Sequence, residues 1–239
     1  MSTASNPCQN RLLAALPTPE YTRLAPHLEE VQLTLGTTLH ESGSELHHAY
    51  FPIDAIVSLL YVTLDGNSAE VSVVGNEGML GVALFMEGDT MPNRAVVQSA
   101  GTAYRLPGPI LKDAFHTCTE LQSLLLRYTQ ALLTQMSQTA VCNRHHSLDQ
   151  QLCRWLLLSH DRLPSDDLFM TQELMANMLG VRREGVTTVA HQLQEDGLIQ
   201  YHRGHITVLD RSGLEARTCE CYAVVKDEYD RLLPKVIGS

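Results

Sequence analysis

TQELMANMLGVRREGVTTVAHQLQEDG, residues 171–197, is the stretch from which the rest of the chain is read. Thr171 stands where an N-cap belongs, and Leu174, Met175 and Met178 follow at the spacing of one helical face. Leu179-Gly180-Val181 makes a three-residue turn in which glycine takes the positive φ of a sharp reversal. A second helix starts near Arg182, buries Val186, Val189 and Leu193, and stops before Gly197. Two short helices on a tight glycine turn form a helix-turn-helix, whose second helix is the one that enters the major groove of DNA. Its first turns carry Arg182, Arg183, Glu184, Thr187 and Thr188. Arg183 can grip guanine O6 and N7, Glu184 can accept from cytosine N4, and a threonine can meet a phosphate or a thymine methyl.

Downstream, Leu198-Ile199-Gln200-Tyr201 and His205-Ile206-Thr207-Val208-Leu209 are strand-like and meet at His202-Arg203-Gly204. This hairpin predicts a wing against the sugar-phosphate backbone. The expected DNA-contacting set is Thr171, Gln172, Arg182, Arg183, Glu184, Thr187, Thr188, His202 and Arg203. From residue 171 to 211 there are four arginines against five acids, so the footprint is a small cluster on a chain of net charge -10. Such a chain does not coat nucleic acid through bulk charge.

Upstream of this segment the periodicity changes. Leu12, Leu13 and Leu16 predict short helices at the N-terminus, broken by Pro17 and Pro19. Between Val31 and Arg105 short apolar runs alternate with turns. Asp65-Gly66-Asn67 separates two of them, and Val71 and Val73 alternate with Ser72, so the region reads as an antiparallel β-roll. From Pro109 to Asn143 no further glycine or proline interrupts a helical stretch. Leu121, Leu125, Tyr128, Leu132, Gln135 and Thr139 recur there at alternating spacings of four and three. The stripe serves either as a dimer seam or as the face by which the helix lies on its own barrel, and the expectation carried forward is a dimer seam. Ser147 caps a further helix from Leu148 to about His160. Pro164 and Ser165-Asp166-Asp167 mark a loop.

A length of 239 residues, 44% hydrophobic and 18% charged, suits two globular domains. No signal peptide or span-length apolar run is visible, so a cytoplasmic protein is expected. Cys8, Cys118, Cys142, Cys153, Cys219 and Cys221 form no CxxC pair. The spacing of Cys219 and Cys221 is poor for zinc, so reduced thiols, no metal and no iron-sulfur cluster are the expectation. No P-loop, GxGxxG, HExxH or Ser/His/Asp spacing points to an enzyme.

The order of parts, with TQELMANMLGVRREGVTTVAHQLQEDGLI at its end, resembles the Crp/Fnr superfamily of bacterial transcription regulators from about Leu24 to Leu214. The resemblance implies an α+β chain in three parts. These are a cyclic-nucleotide-binding-like sensor β-roll over 1–108, a central dimerisation helix over 109–145, and a winged helix-turn-helix DNA-binding domain over 146–239. It also implies a homodimer on a roughly palindromic site, with RNA polymerase as a partner. Arg183 and Glu184 match two base-reading positions of the family, whereas Thr188 stands where many members carry arginine, which leaves the operator open.

In members that bind cyclic AMP, a cassette supplies a ribose-binding glutamate and a phosphate-binding arginine. Aligned on Gly81 and Ala95, these positions are Val82 and Asn93 here, so the resemblance is to a member lacking the usual cassette. A phosphodiester anion needs a charge-assisted partner. Arg94 lies one residue off, on the opposite strand face. The signal is therefore expected to be something other than cyclic AMP. The candidate effector pocket comprises Glu77, Gly81, Val82, Asn93, Arg94 and Ala95. Haem on His47, His48, His116, His145, His146, Met79, Met86 or Met91, another small ligand, or no ligand all stay open. The alternative function is a cyclic-nucleotide-type regulatory module that acts on a partner protein.

Overall fold

The computed structural model describes residues 6–234. Asn10 accepts from Leu12 and Leu13 N–H and starts α1 (Arg11–Ala14), and α2 (Thr18–Leu24) follows behind a proline. Seven strands form the β-roll: β1 (Glu29–Leu33), β2 (Thr38–His40), β3 (His48–Pro52), β4 (Ile56–Val62), β5 (Ser68–Val74), β6 (Arg94–Ser99) and β7 (Gly101–Pro107). They make two antiparallel sheets, ordered β1-β7-β3 and β2-β6-β4-β5. Residues 63–67 close the β4–β5 hairpin, with Gly66 at φ 84° and Thr63 N–H bonded to Asn67 O at 2.8 Å.

The helical stretch after the roll is two helices, α3 (Gly108–Thr117) and α4 (Thr119–His145), separated by extended backbone at Cys118. Nothing local demands the break. It is held from outside: the Glu20 carboxylate accepts from Glu120 N–H at 3.2 Å and Leu121 N–H at 2.8 Å, capping the orphan donors of α4. Ser147 and Gln150 form a capping box for α5 (Leu148–His160), as expected. Then come β8 (Asp167–Phe169), α6 (Gln172–Leu179), α7 (Arg183–Glu195), β9 (Ile199–His202), β10 (His205–Val208), α8 (Arg211–Arg217) and α9 (Glu220–Leu232). β8 adds a third strand to the wing in the order β8-β10-β9, and α9 packs along α4. Neither β8 nor the last two helices were expected from the sequence.

The heptad stripe requires a correction. Leu121, Leu125, Tyr128, Leu132, Gln135 and Thr139 are all buried within the chain itself. The Tyr128 hydroxyl donates to Met79 O at 2.8 Å, and its ring fits only because Gly78 has no Cβ. Gln135 donates to Val73 O at 3.2 Å and accepts from the Tyr229 hydroxyl at 3.0 Å. These six residues are covered by the rest of their own chain and leave almost no surface for a second one. The opposite face of α4 carries exposed Leu126, Leu133 and Val141, with relative exposures of 53%, 59% and 46%.

The roll and the C-terminal elements share buried polar links. Trp155 on α5 meets Glu70 on β5, and Gln98 on β6 joins Ser58 to Ser159 at 2.7 and 2.9 Å. Arg162 pairs with Glu77 at 2.8 Å, both nearly inaccessible. Its aliphatic stem passes where Gly75 lacks a side chain.

Candidate nucleic-acid interface

Thr171 caps α6 by accepting from Leu174 N–H at 3.1 Å. Gly180 ends the helix in the left-handed region at φ 66°, ψ 33°. There is a second reason for glycine there: a Cβ would lie 3.3 Å from the Ala69 methyl, because the β4–β5 hairpin leans on this turn. The second helix of the pair, expected to be the reading helix, is α7. It buries Val186, Ala190 and Leu193 against the body, and Gly185 lets it approach Leu148 on α5, where a Cβ would be 2.9 Å from that side chain.

Burying that stripe turns the other face outward. Arg183, Glu184, Thr187, Thr188 and His191 are exposed on it, and Arg182 is exposed at the N-cap position. His191 lies one turn beyond Thr187 and Thr188 and was missed in the sequence. The signal was there, since 184, 187, 188 and 191 share one helical face. The Thr188 hydroxyl donates to Glu184 O at 3.0 Å. Thr187 lies 2.9 Å from Arg183 O and 2.8 Å from Gln172 Oε1, which ties the head of α6 to the reading helix.

The wing turns at Arg203 and Gly204, both with positive φ (50° and 85°), the geometry of a tight hairpin. His202 and Arg203 are exposed there. A Cβ on Gly204 would touch Thr171 Cγ2 at 3.5 Å, so the wing tip sits beside the cap of α6. Gln194 at the end of α7 accepts from Tyr201 N–H at 2.8 Å and fixes the wing to the reading helix. Arg211, the fourth arginine of the segment, is drawn away to Asp161, Glu215 and Tyr222. The positive charge of the face therefore rests on Arg182, Arg183 and Arg203.

The expected effector residues do not form one site. Gly81, Val82 and Asn93 line a cavity of about 10 Å³ with His40, Leu59, Met79, Leu80, Met91 and Leu132. Asn93 Oδ1 lies 3.1 Å from His40 Nε2, and its Nδ2 has no partner among the described residues. Arg94 turns outward to Thr38 at 2.8 Å and Glu41 at 3.2 Å. Ala95 packs in an apolar cluster with Leu59 and Val97. Glu77 lies elsewhere, locked to Arg162 beside a cavity of about 280 Å³ at the junction of the roll with α5 and α9. Of the six expected residues, only Gly81, Val82 and Asn93 share one cavity, which His40 also lines. Ligand pockets usually measure roughly 300–1,000 Å³, so this one is closed.

Of the haem candidates, Met79 and Met91 reach that cavity, while Met86, His47, His116 and His145 are exposed. His48 is half-buried and its imidazolium form is disfavoured, first by burial and then by Arg105. No helix among the described residues is long and apolar enough to cross a membrane.

Residues 150–217 match the family model of the Crp-like helix-turn-helix domain. The global nitrogen regulator of Synechococcus elongatus is 23% identical over 192 residues, 77% of this chain and 86% of that protein. Among solved structures, FixK2 from Bradyrhizobium japonicum has a TM-score of 0.69 at 14% identity, covering 80% of this chain and 98% of that one. A Crp/Fnr-family transcriptional regulator from Thermus thermophilus has a TM-score of 0.61 at 23% identity, covering 79% and 97%. Residues 150–217 thus carry a Crp-like helix-turn-helix domain, and from roll to wing the chain shares its fold with solved regulators of the Crp/Fnr type.

Proposed function

We propose that the protein is a cytoplasmic homodimer that reads a roughly palindromic operator through Arg183, Glu184, Thr187, Thr188 and His191, with Thr171, Gln172, Arg182, His202 and Arg203 holding the backbone. The observation that carries this reading is the exposed polar face of α7, edged by the wing tip. A second copy is needed because one short helix reads few base pairs. Two α7 helices about 34 Å apart would meet successive major grooves on one side of the duplex. The exposed apolar residues Leu126, Leu133 and Val141 supply a face on α4 for that pairing. The division of labour is then a sensor over 1–108, a pairing helix over 109–145 and a DNA reader over 146–239. It has no catalytic role, and RNA polymerase is the partner through which it acts on transcription.

The signal is not cyclic AMP in this reading. No arginine or lysine lines the Asn93 cavity among the described residues, and a phosphodiester there would be left without a cation. The free amide donor of Asn93 and the His40 ring favour a small ligand with neutral acceptor groups, bound after the pocket opens.

The test is fluorescence anisotropy with duplexes from the gene's own upstream region, at two salt concentrations. A selective complex with two chains per duplex is expected, with a modest salt slope from a few phosphate contacts. Absence of any sequence-selective binding, with or without cell extract, would remove this reading and leave a module that acts on a partner protein.

A further inference from the structure

Three thiols from two distant stretches of the chain are neighbours in space. Cys142 lies in the last turn of α4 with His146 four residues on, and Cys219 and Cys221 stand at the start of α9. The four ligand atoms, three Sγ and one imidazole nitrogen, all lie within 4.8 Å of one another. Cys142 Sγ is 3.5 Å from Cys219 Sγ, and Cys221 Sγ is 3.5 Å from His146 Nδ1. The three cysteines are buried and His146 nearly so. We propose that Cys142, His146, Cys219 and Cys221 bind one Zn²⁺ ion that fastens the end of α4 to the start of α9.

The donor set selects the ion. Thiolate and imidazole suit Zn²⁺, whereas magnesium and calcium take oxygen ligands. With a zinc–sulfur bond of about 2.3 Å, the edge of a sulfur tetrahedron is about 3.8 Å. The spacings here are of that size, so the four groups converge with small rotamer changes. An iron-sulfur cluster would place thiolates on different iron atoms and therefore farther apart.

The surroundings are those of a metal site. His146 Nε2 lies 3.3 Å from Glu220 Oε1, so the carboxylate holds the second ring nitrogen and aims Nδ1 at the thiols. Gln151 donates to His146 O at 2.9 Å and Cys142 O at 3.4 Å, fixing the turn that carries both ligands. Cys219 is the N-cap of α9, so the start of that helix fixes its position beside Cys142. Three thiolates and Zn²⁺ leave one net negative charge. The buried Arg154 guanidinium, bonded to Thr139 at 2.9 Å one turn before Cys142, lies on the same side to offset it.

Residues 147–218, which include α6, α7 and the wing, lie between the two ligand pairs. One ion therefore closes a loop around the whole reading head and sets its attachment to the pairing helix. Because metal binding is then part of folding, its loss weakens that attachment. This assignment stands apart from the DNA reading, since it is read out in metal content.

The test uses the full-length protein, purified without a metal-chelating tag from zinc-replete cells. Mass spectrometry of metals should give one zinc per chain. Cobalt exchanged into the site should show the intense visible bands of tetrahedral Co²⁺ with thiolate charge transfer. Cys142→Ser and Cys221→Ser should lose the metal, His146→Cys should retain it with an altered cobalt spectrum, and Glu220→Gln should weaken zinc affinity about tenfold. Should the serine variants fail to fold, the wild-type protein still decides. Chelation should lower its thermal midpoint and zinc should restore it. A folded chain without metal and without cobalt bands, a Cys142–Cys219 disulfide in its place, or iron with oxygen-sensitive absorption would each overturn the assignment.

Discussion

Trp155 on α5 donates its indole N–H to Glu70 Oε1 on β5 at 2.9 Å, with both residues buried at the contact between the β-roll and the C-terminal elements. The second carboxyl oxygen of Glu70 has no partner among the described residues. Burial is the largest influence and pushes the Glu70 carboxyl up from 4.5 to about 7, against the pulls of Ser58, Trp155, Arg154 and Arg162. The folded chain therefore holds this proton more tightly than the unfolded chain does. That contribution to stability is complete below pH 4.5 and is lost as the pH rises through 7. Its full size is roughly 3 kcal/mol. Glu70→Gln removes the titration, so the variant should gain on the wild type by about that amount between pH 4.5 and pH 8. Urea unfolding of both proteins at the two pH values measures it, and a constant difference would mean that Glu70 does not titrate in this range.

Gly180 is fixed twice, by its φ of 66° and by the Ala69 methyl beyond it. Gly180→Ala should cost about 1–2 kcal/mol from the left-handed conformation alone. It should also push the β4–β5 hairpin off the helix turn. Ala69→Gly in the same chain should recover the part owed to the hairpin contact and leave the backbone part. Thermal unfolding of the single and double variants separates the two, and full recovery would assign the whole cost to the contact.

Arg183→Ala should weaken the specific complex by about 1–3 kcal/mol and relax base choice at one position of each half-site. Arg203→Ala, on the wing, should instead weaken all sequences alike and reduce the salt slope by about one. His191→Ala tests the residue that the exposed face adds to the reading set. Competition binding with a panel of single-base operator variants distinguishes these outcomes. Unchanged selectivity in Arg183→Ala would mean that another side chain reads the bases.

What could be read from the sequence was local. Thr171 and Gly180 are start and stop signals within a few residues of what they cap, so α6 and α7 could be placed from them. Ser147 and Gln150 did the same for α5. The break at Cys118 could not be seen, because its cap is a carboxylate about a hundred residues away, Glu20. That Glu77 lies apart from Val82 and Asn93 could not be seen either, because what holds it is Arg162, 85 residues on. The cysteine cluster was hidden for the same reason: the spacing of Cys219 and Cys221 says little until Cys142 and His146 arrive from another helix. Thr188, read as a departure from the family pattern, is exposed on α7, and Asn93, the other, lines the small cavity beside His40.

The pairing face of α4 is the reading that the structure moves. The richer apolar stripe of α4 lies on the chain's own core, which leaves its outward face for the pairing proposed above. Leu125 is fully buried with Tyr128 and Leu132, whereas Leu126 and Leu133, seven residues apart, face outward. Ser123, Gln130, Ser137 and Ala140 continue that outward face, so it is narrow, small and weakly apolar. Leu126→Lys with Leu133→Lys should leave the monomer folded, with an unchanged thermal midpoint at low concentration, and should dissociate the dimer. Leu125→Lys should instead unfold the chain, since it buries an unpaired charge in a core without room for water. Sedimentation velocity and circular dichroism on the three proteins separate the cases. A folded double-lysine variant that stays dimeric would move the pairing surface off this helix, and a folded, monomeric Leu125→Lys chain would return it to the inner stripe.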